Sequence, residues 1–203
     1  MKTRIIVWVA FVALAAFGLY ALDAMLMQKE LAEKTVRLHV VANSDSQEDQ
    51  EQKLRVRDAV LEEVGTLTAT CKDAQEARTV IAENLEQLQS AAQEVLAAEG
   101  SSYSVRVSLG VERFDTRYYD TFTLPAGKYP ALRVQIGAAQ GQNWWCVVFP
   151  SLCTAATSDA VEQSAMVGGF DETQTQFITG GEEEYSLRFK TLEWLKSIAA
   201  WFD

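Results

Sequence analysis

The residues best suited to chemistry lie in one short stretch near the start of the chain. His39 is the single histidine of the 203 residues, and Asn43, Ser44, Asp45 and Asp49 follow it closely. A histidine can act as a general base, and a nearby carboxylate can orient it or hold a metal ion. The sequence contains no nucleophile elbow, phosphate loop, HExxH or paired-cysteine motif. For His39 we therefore expect first a buried structural role, second a binding role, and last catalysis.

A strand, a turn and a helix must position these residues. Alternation of apolar and polar residues predicts a strand at 35–42 that places His39 on the face opposite Leu38. Ser46 and Asp49 form a variant of the capping box, which starts a helix from about Gln47 to Val64. We expect its core stripe at Leu54, Val60, Leu61 and Val64, and Gln50, Lys53, Arg57 and Asp58 on or beside its solvent-exposed side.

Changes in hydrophobic period mark the remaining elements. In chain order we expect a second helix at 73–98, strands at 103–111 and 117–124, a β-hairpin of 131–136 with 143–149, a loop at 151–184 with a short helix near 159–166, and a last helix ending at Phe202. The predicted fold class is α+β, a mostly antiparallel sheet of about four strands covered by two long helices and a C-terminal helix.

The amino terminus has the pattern of an export signal. Lys2 and Arg4 precede an uninterrupted apolar run from Ile5 to Leu22, as in a Sec-type signal. The run is long for a signal-peptide core and just long enough to span a membrane, so both cleavage and anchoring stay open. Ala16-Phe17-Gly18 has small residues at the spacing that signal peptidase requires, which favours cleavage.

This pattern divides the chain into two parts. Residues 1–27 are the signal peptide or membrane anchor, and residues 28–203 are expected to form a single extracytoplasmic domain. Gln28–Lys34 is expected to be a polar connector that holds the domain away from the membrane. Contact with the membrane is expected through the amino-terminal segment if it is not cleaved.

Charge and composition narrow the classes of partner. The net charge is −10, which argues against nucleic acid because phosphate binding needs clustered Lys and Arg. With one His and three Cys, a zinc site would need carboxylates to complete it. We therefore predict no metal and no cofactor.

Paired tryptophans and two nearby cysteines mark a second segment. Trp144 and Trp145 must point to opposite faces of a strand, so one is expected in the core and the other partly exposed. The exposed one would be either a hot spot for a protein partner or a cover for the sheet edge. Cys146 and Cys153 either form a disulfide across the turn at Pro150 or are small buried hydrophobic residues.

Both segments resemble one known family. VRLHVVANSDSQEDQEQKLRVRDAVL, at Val36–Leu61, strongly resembles the hallmark segment of stage II sporulation protein R. ALRVQIG at Ala131–Gly137, followed by NWWCVVFPSLC at Asn143–Cys153, resembles its second signature. With the export segment, the match in order and spacing covers most of the chain.

The resemblance implies a secreted signalling protein of endospore-forming bacteria and no enzymatic activity. Such a protein is made in the forespore and exported to the space between the forespore and mother-cell membranes. There it triggers a membrane-embedded aspartic protease, which processes a mother-cell pro-sigma factor. The alternatives are a cell-envelope hydrolase, which would depend on His39, and a wall- or membrane-binding module.

The expected contact surface combines the polar turn and the outer face of the first helix. Its polar side chains outnumber those that one capping box needs. The candidate partner-binding residues are His39, Asn43, Ser44, Asp45, Asp49, Lys53, Arg57, Trp144 and Trp145.

Overall fold

The computed structural model describes residues 2–155 and 157–180. The helix expected to end at Phe202 lies outside the described residues. The described elements are α1 (Lys2–Glu33), β1 (Val36–Val41), α2 (Gln47–Thr68), α3 (Ala74–Glu83), α4 (Leu85–Ala98), β2 (Val105–Phe114), β3 (Arg117–Tyr118), β4 (Thr123–Leu124), β5 (Gly127–Ile136), β6 (Asn143–Phe149), α5 (Ser158–Val167) and α6 (Glu172–Thr179). The α+β class is confirmed.

The central sheet is mixed and has four strands in the order β2-β5-β1-β6. β1 runs parallel to β5 and antiparallel to β6, and β2 runs antiparallel to β5. The predicted hairpin of β5 with β6 is wrong, because β1 lies between these two strands. All six residues of β1 are buried, as expected for a strand covered on both faces.

Helices α2, α3 and α4 cover one face of the sheet. The buried stripe of α2 runs through Val56, Val60 and Val64, so the expected stripe was misplaced at Leu54. The helix predicted at 73–98 is divided at Asn84, whose side-chain amide donates to the carbonyl of Val80 and ends α3.

The opposite face of the sheet is covered by the end of α1 and by α5 and α6. Leu31 of α1 is fully buried there, with Leu152 and Ile178. Helix α6 was not predicted within the loop at 151–184, although its capping box of Asp171 and Gln174 was a readable signal.

Helix α1 is long and apolar enough, over Arg4–Glu33, to cross a membrane by length and composition. The segment Gln28–Lys34, expected to be a polar connector, continues α1 to Glu33. Its side chains bind the domain, since Lys34 Nζ donates to Gln174 Oε1 at 2.7 Å and Glu30 accepts from the same amide group at 2.7 Å.

Candidate interaction surface

The polar turn after β1 is locked to the loop between β5 and β6. Asn43 Oδ1 accepts from the backbone N–H of Ala138 at 2.9 Å, and Asp45 Oδ1 accepts from that of Gln142 at 2.7 Å. Gly137 approaches Asn43 closely and has φ = 55°, a conformation that favours glycine. The polar side chains beyond the helix cap therefore tie the turn to the 137–142 loop.

Asp49 is buried at the centre of this turn. It accepts from Ser44 Oγ at 2.5 Å and from the side-chain amide of Asn43 at 2.9 Å. Its backbone N–H donates to Ser46 Oγ, which caps α2 as predicted. Burial alone would raise the pKa of the Asp49 carboxyl, but the hydrogen bonds from Ser44, Asn43 and Ser46 outweigh it and lower the pKa below its usual range.

Lys53 lies beneath the same turn rather than on the solvent side of α2. It is 4% exposed, and its ammonium group donates to Gln50 Oε1 at 2.5 Å and to the carbonyl of Gln142 at 3.2 Å. Burial lowers the pKa of Lys53, and the charge of Arg57 lowers it further, while Asp45 acts in the opposite sense. Lys53 thus secures the 137–142 loop from inside.

His39 is buried on the sheet face opposite α2. Its Nδ1 lies 2.7 Å from Glu112 Oε2, and its Nε2 lies 2.7 Å from Asn143 Oδ1. The ring stacks on Trp145 with centroids 5.7 Å apart. The other carboxylate oxygen of Glu112, Oε1, lies 3.5 Å from Nη1 of Arg133, with which it forms an ion pair.

This arrangement orients His39 but does not assemble a catalytic set. Both of its ring nitrogens are occupied by a carboxylate and an amide, and no hydroxyl or thiol takes the place of a nucleophile among its described partners. In the described part of the chain, no group of three or more His, Cys, Asp and Glu could hold a metal ion.

Trp144 is an exposed residue of the candidate surface, and it packs against the partly buried Arg57. Trp144 is 38% exposed, and the guanidinium carbon of Arg57 lies 4.4 Å from the centroid of its ring, a cation–π contact. Trp145 is half-buried on the other face, where Arg117 lies 3.6 Å from its ring centroid. The two tryptophans therefore lie on opposite faces of β6, as expected, but Trp145 is half-buried and not a full member of the core.

The two cysteines near the end of β6 are adjacent. The structure joins Cys146 and Cys153, whose Cα atoms lie 6.0 Å apart, a separation that a disulfide spans. Cys71 is a free, buried cysteine. Its burial raises the pKa of its thiol, and Glu76 and Asp73 raise it further.

Several residues of this surface were not predicted. Glu112 and Asn143 bind His39, and Gln142 binds both Asp45 and Lys53, but these pairs are distant in sequence. No local pattern marks them, because each contact depends on the order of the strands. In the sequence alone, Glu112 is explained by solvent exposure of an edge strand and Asn143 by a turn before a strand, so neither residue attracts notice.

Comparison with known proteins identifies the family. The family model described as stage II sporulation protein R matches residues 32–159. The chain belongs to the stage II sporulation protein R family. The curated protein "Stage II sporulation protein R" of Bacillus subtilis (strain 168) is 38% identical over 123 residues, an alignment that covers 61% of this chain and 55% of the relative. No solved structure matches.

Membership of the stage II sporulation protein R family implies a role in sporulation. The matched region extends from the end of α1 to the start of α5. It includes every candidate residue of the interaction surface, and β1 with β6 brings the two signature segments side by side.

Proposed function

We propose that this protein is an exported signal of endospore formation. In this proposal it enters the space between the forespore and mother-cell membranes and activates a membrane-embedded aspartic protease, which then processes a mother-cell pro-sigma factor. The support is membership of the family, what the resemblance implies, and an apolar amino-terminal helix of the kind found in signals and anchors.

The contact surface in this proposal is centred on Trp144 and Arg57. Tryptophan and arginine are enriched in interface hot spots, and here they stack at an exposed sheet edge. The single observation that best supports this contact surface is the ring of Trp144, which is 38% exposed beside the polar turn. The turn residues Asn43, Ser44 and Asp49 act mainly by holding that end of the sheet rigid.

Activation requires differential binding. A ligand shifts a receptor toward one state only by the difference between its affinities for the two states. A rigid contact surface suits this task, because little conformational entropy is lost when it binds. The interlocked turn and loop provide such rigidity at the base of Trp144.

The proposal is tested by reconstitution in a non-sporulating host. The protein is co-expressed with the candidate receptor protease and its pro-sigma substrate, and processing is followed by immunoblot. We expect processing only when this protein is present, and we expect Trp144→Ala and Arg57→Ala to reduce it by about tenfold or more, as for hot-spot residues.

The matched control is Val167→Ala, which truncates a side chain that is 75% exposed on α5, away from the candidate surface. It is expected to retain full processing. If the Trp144→Ala and Arg57→Ala proteins are exported and folded and still give full processing, the contact surface lies elsewhere on the protein. Absence of processing with the wild-type protein would overturn the proposed function itself.

A further inference from the structure

The far edge of the sheet is protected along half of its length. β2 is an edge strand, and its pairing with β5 runs without a shift in register from Val105 to Phe114. The backbone N–H of Val105 donates to Gln93 Oε1 at 2.9 Å, and that of Val107 donates to Gln89 Oε1 at 3.2 Å. Two glutamines of α4 thus take the place of a neighbouring strand at these positions.

The second half of β2 has no such protection. In an antiparallel strand, every second residue directs its N–H and C=O to the same side. Since Val105 and Val107 point outward, Leu109, Val111 and Arg113 do so as well. Among the described residues, no side chain caps these three amides. An uncapped row of this kind is a template for another strand.

The side chains at this bare edge are unusual for an acidic protein. Val111 is 70% exposed, although it is apolar and lies in a regular strand. Arg113 is directly opposite Lys128 of β5, and both are exposed. In the part of the chain that the structure describes, neither one forms an ion pair. Like charges directly opposite in a sheet are destabilising.

We propose that the outer edge of β2 from Leu109 to Arg113 binds an extended, acidic segment of a partner protein, which adds to the sheet as a fifth strand. Backbone hydrogen bonds supply the affinity, as in other cases of strand addition. An apolar residue opposite Val111 covers its side chain, and a carboxylate opposite Arg113 neutralises the pair of Arg113 and Lys128.

The charge of the chain supports this occupant over a second copy. Two copies that each carry −10 repel one another, whereas an acidic segment is attracted locally by Arg113 and Lys128. The inference rests on the proposed function only for the identity of the protein that supplies the segment, namely the receptor protease. The strand-binding property itself stands on the contacts of β2.

Amide hydrogen exchange of the full chain in detergent micelles tests the binding. The probe is the synthetic peptide acetyl-Thr-Glu-Thr-Val-Thr-Val-Thr-amide, and the matched control has Lys in place of Glu. We expect the Glu peptide to slow exchange by about tenfold or more at Leu109, Val111 and Arg113. The intervening Ser108, Gly110 and Glu112, already paired with β5, are expected to show no change.

The proposal is supported if the Glu peptide protects alternate amides of the wild-type protein and the Lys peptide does not. It also requires that the Lys peptide protect the same amides in the double variant Arg113→Glu/Lys128→Glu. Equal protection by both peptides, or no protection, overturns it. A third outcome also overturns the proposal: neither peptide protects the amides, but the wild-type protein binds phosphatidylglycerol vesicles and the double variant does not. The two basic residues would then bind a lipid surface.

The reconstituted processing assay separates this inference from the proposed function. Val111→Pro removes one outward N–H without removing a bond to β5, and Val111→Thr is its matched control, since it keeps the N–H. We expect Val111→Pro to lose processing and Val111→Thr to retain it. Full processing with folded Val111→Pro overturns strand addition by the receptor. If the wild-type protein itself gives no processing, the proposed function is contradicted, and the peptide experiment alone then tests whether β2 binds a strand.

Discussion

At the scale of single residues, Asp49 shows how the polar turn holds its shape. A buried carboxylate without partners would be protonated or displaced. Here the side chains of Ser44 and Asn43 donate to one of its oxygens, and Asn43 also binds the backbone of the 137–142 loop. The charge of Asp49 therefore stabilises both the start of α2 and the neighbouring loop.

Replacement of Asp49 by Asn tests this role through its pH dependence. Because folding lowers the pKa of Asp49, its contribution is present above the usual aspartate pKa of about 3.9 and is lost as the pH falls through the lower, folded value. We expect Asp49→Asn to reduce the free energy of unfolding by about 1–3 kcal/mol at pH 7, measured by urea denaturation.

The loss should shrink as the pH falls below about 4, because the Asp49 carboxyl of the unfolded chain then binds a proton while that of the folded chain is still ionised. Asp120→Asn, at an exposed carboxylate of the β3–β4 turn, is the control and is expected to have little effect. A difference between the Asp49 variant and wild type that stays constant down to pH 3 would contradict a role for the charge.

The residues that sequence reasoning could locate were those with local signals. Ser46 was predicted as a helix cap from its spacing to Asp49, and the structure confirms it. The alternation of β1 puts Arg37 on the same face as His39, but no local pattern predicts that it is completely buried. Its guanidinium lies 4.0 Å from the ring centroid of Phe114 and donates to Tyr119 Oη at 2.8 Å, and strand alternation cannot reveal such distant partners.

At the scale of elements, β6 and the turn after it depend on the state of two cysteines. Val147 donates its backbone N–H to Cys153 Sγ at 3.0 Å, so the turn folds back on the strand. A disulfide from Cys146 would fix this turn at the edge that carries Trp144. Its formation is compatible with the export that we propose, because the extracytoplasmic side of a membrane permits disulfides.

Thiol counting checks this pairing on protein recovered after export. Of the three cysteines, we expect one to react with iodoacetamide after unfolding without reductant, and three after reduction, as measured by intact mass. In the native state Cys71 should react slowly, because its burial raises the pKa of its thiol. Cys71→Ala is the control and should leave no reactive thiol before reduction, whereas three reactive thiols in unreduced wild type would exclude the disulfide.

The elements themselves were predictable where periodicity is long, and their pairing was not. The positions of β1, α2, β5 and β6 follow from apolar spacing and cap signals. No local pattern predicts that β1 inserts between β5 and β6, because the 137–142 loop is short enough for a hairpin. In the structure this loop instead crosses the end of β1. Hydrogen bonds from Gln140 to the Asn43 carbonyl and from Gly141 to the Ala42 carbonyl hold that crossing.

At the scale of the whole molecule, the last turns of α1 belong to the folded domain. Leu31 is fully buried with residues of α5 and α6, and Ala24 is also buried, whereas the apolar run before them is exposed. A signal-peptidase cut after Gly18 would leave these buried residues in the mature chain. An uncleaved α1 would pass from the membrane into the domain as one helix, without a flexible connector.

Truncation of two leucines on the same helix tests this division of α1. We expect Leu31→Ala to lower the free energy of unfolding by about 2–5 kcal/mol, because it creates a cavity among fully buried side chains. Leu19→Ala, at a side chain that is 70% exposed, is the matched control and should leave stability unchanged. Both are measured by guanidinium denaturation of the full chain in micelles, with tryptophan fluorescence as the signal. Equal stability of the two variants would show that burial of Leu31 does not stabilise the domain, and the end of α1 would then be only a connector.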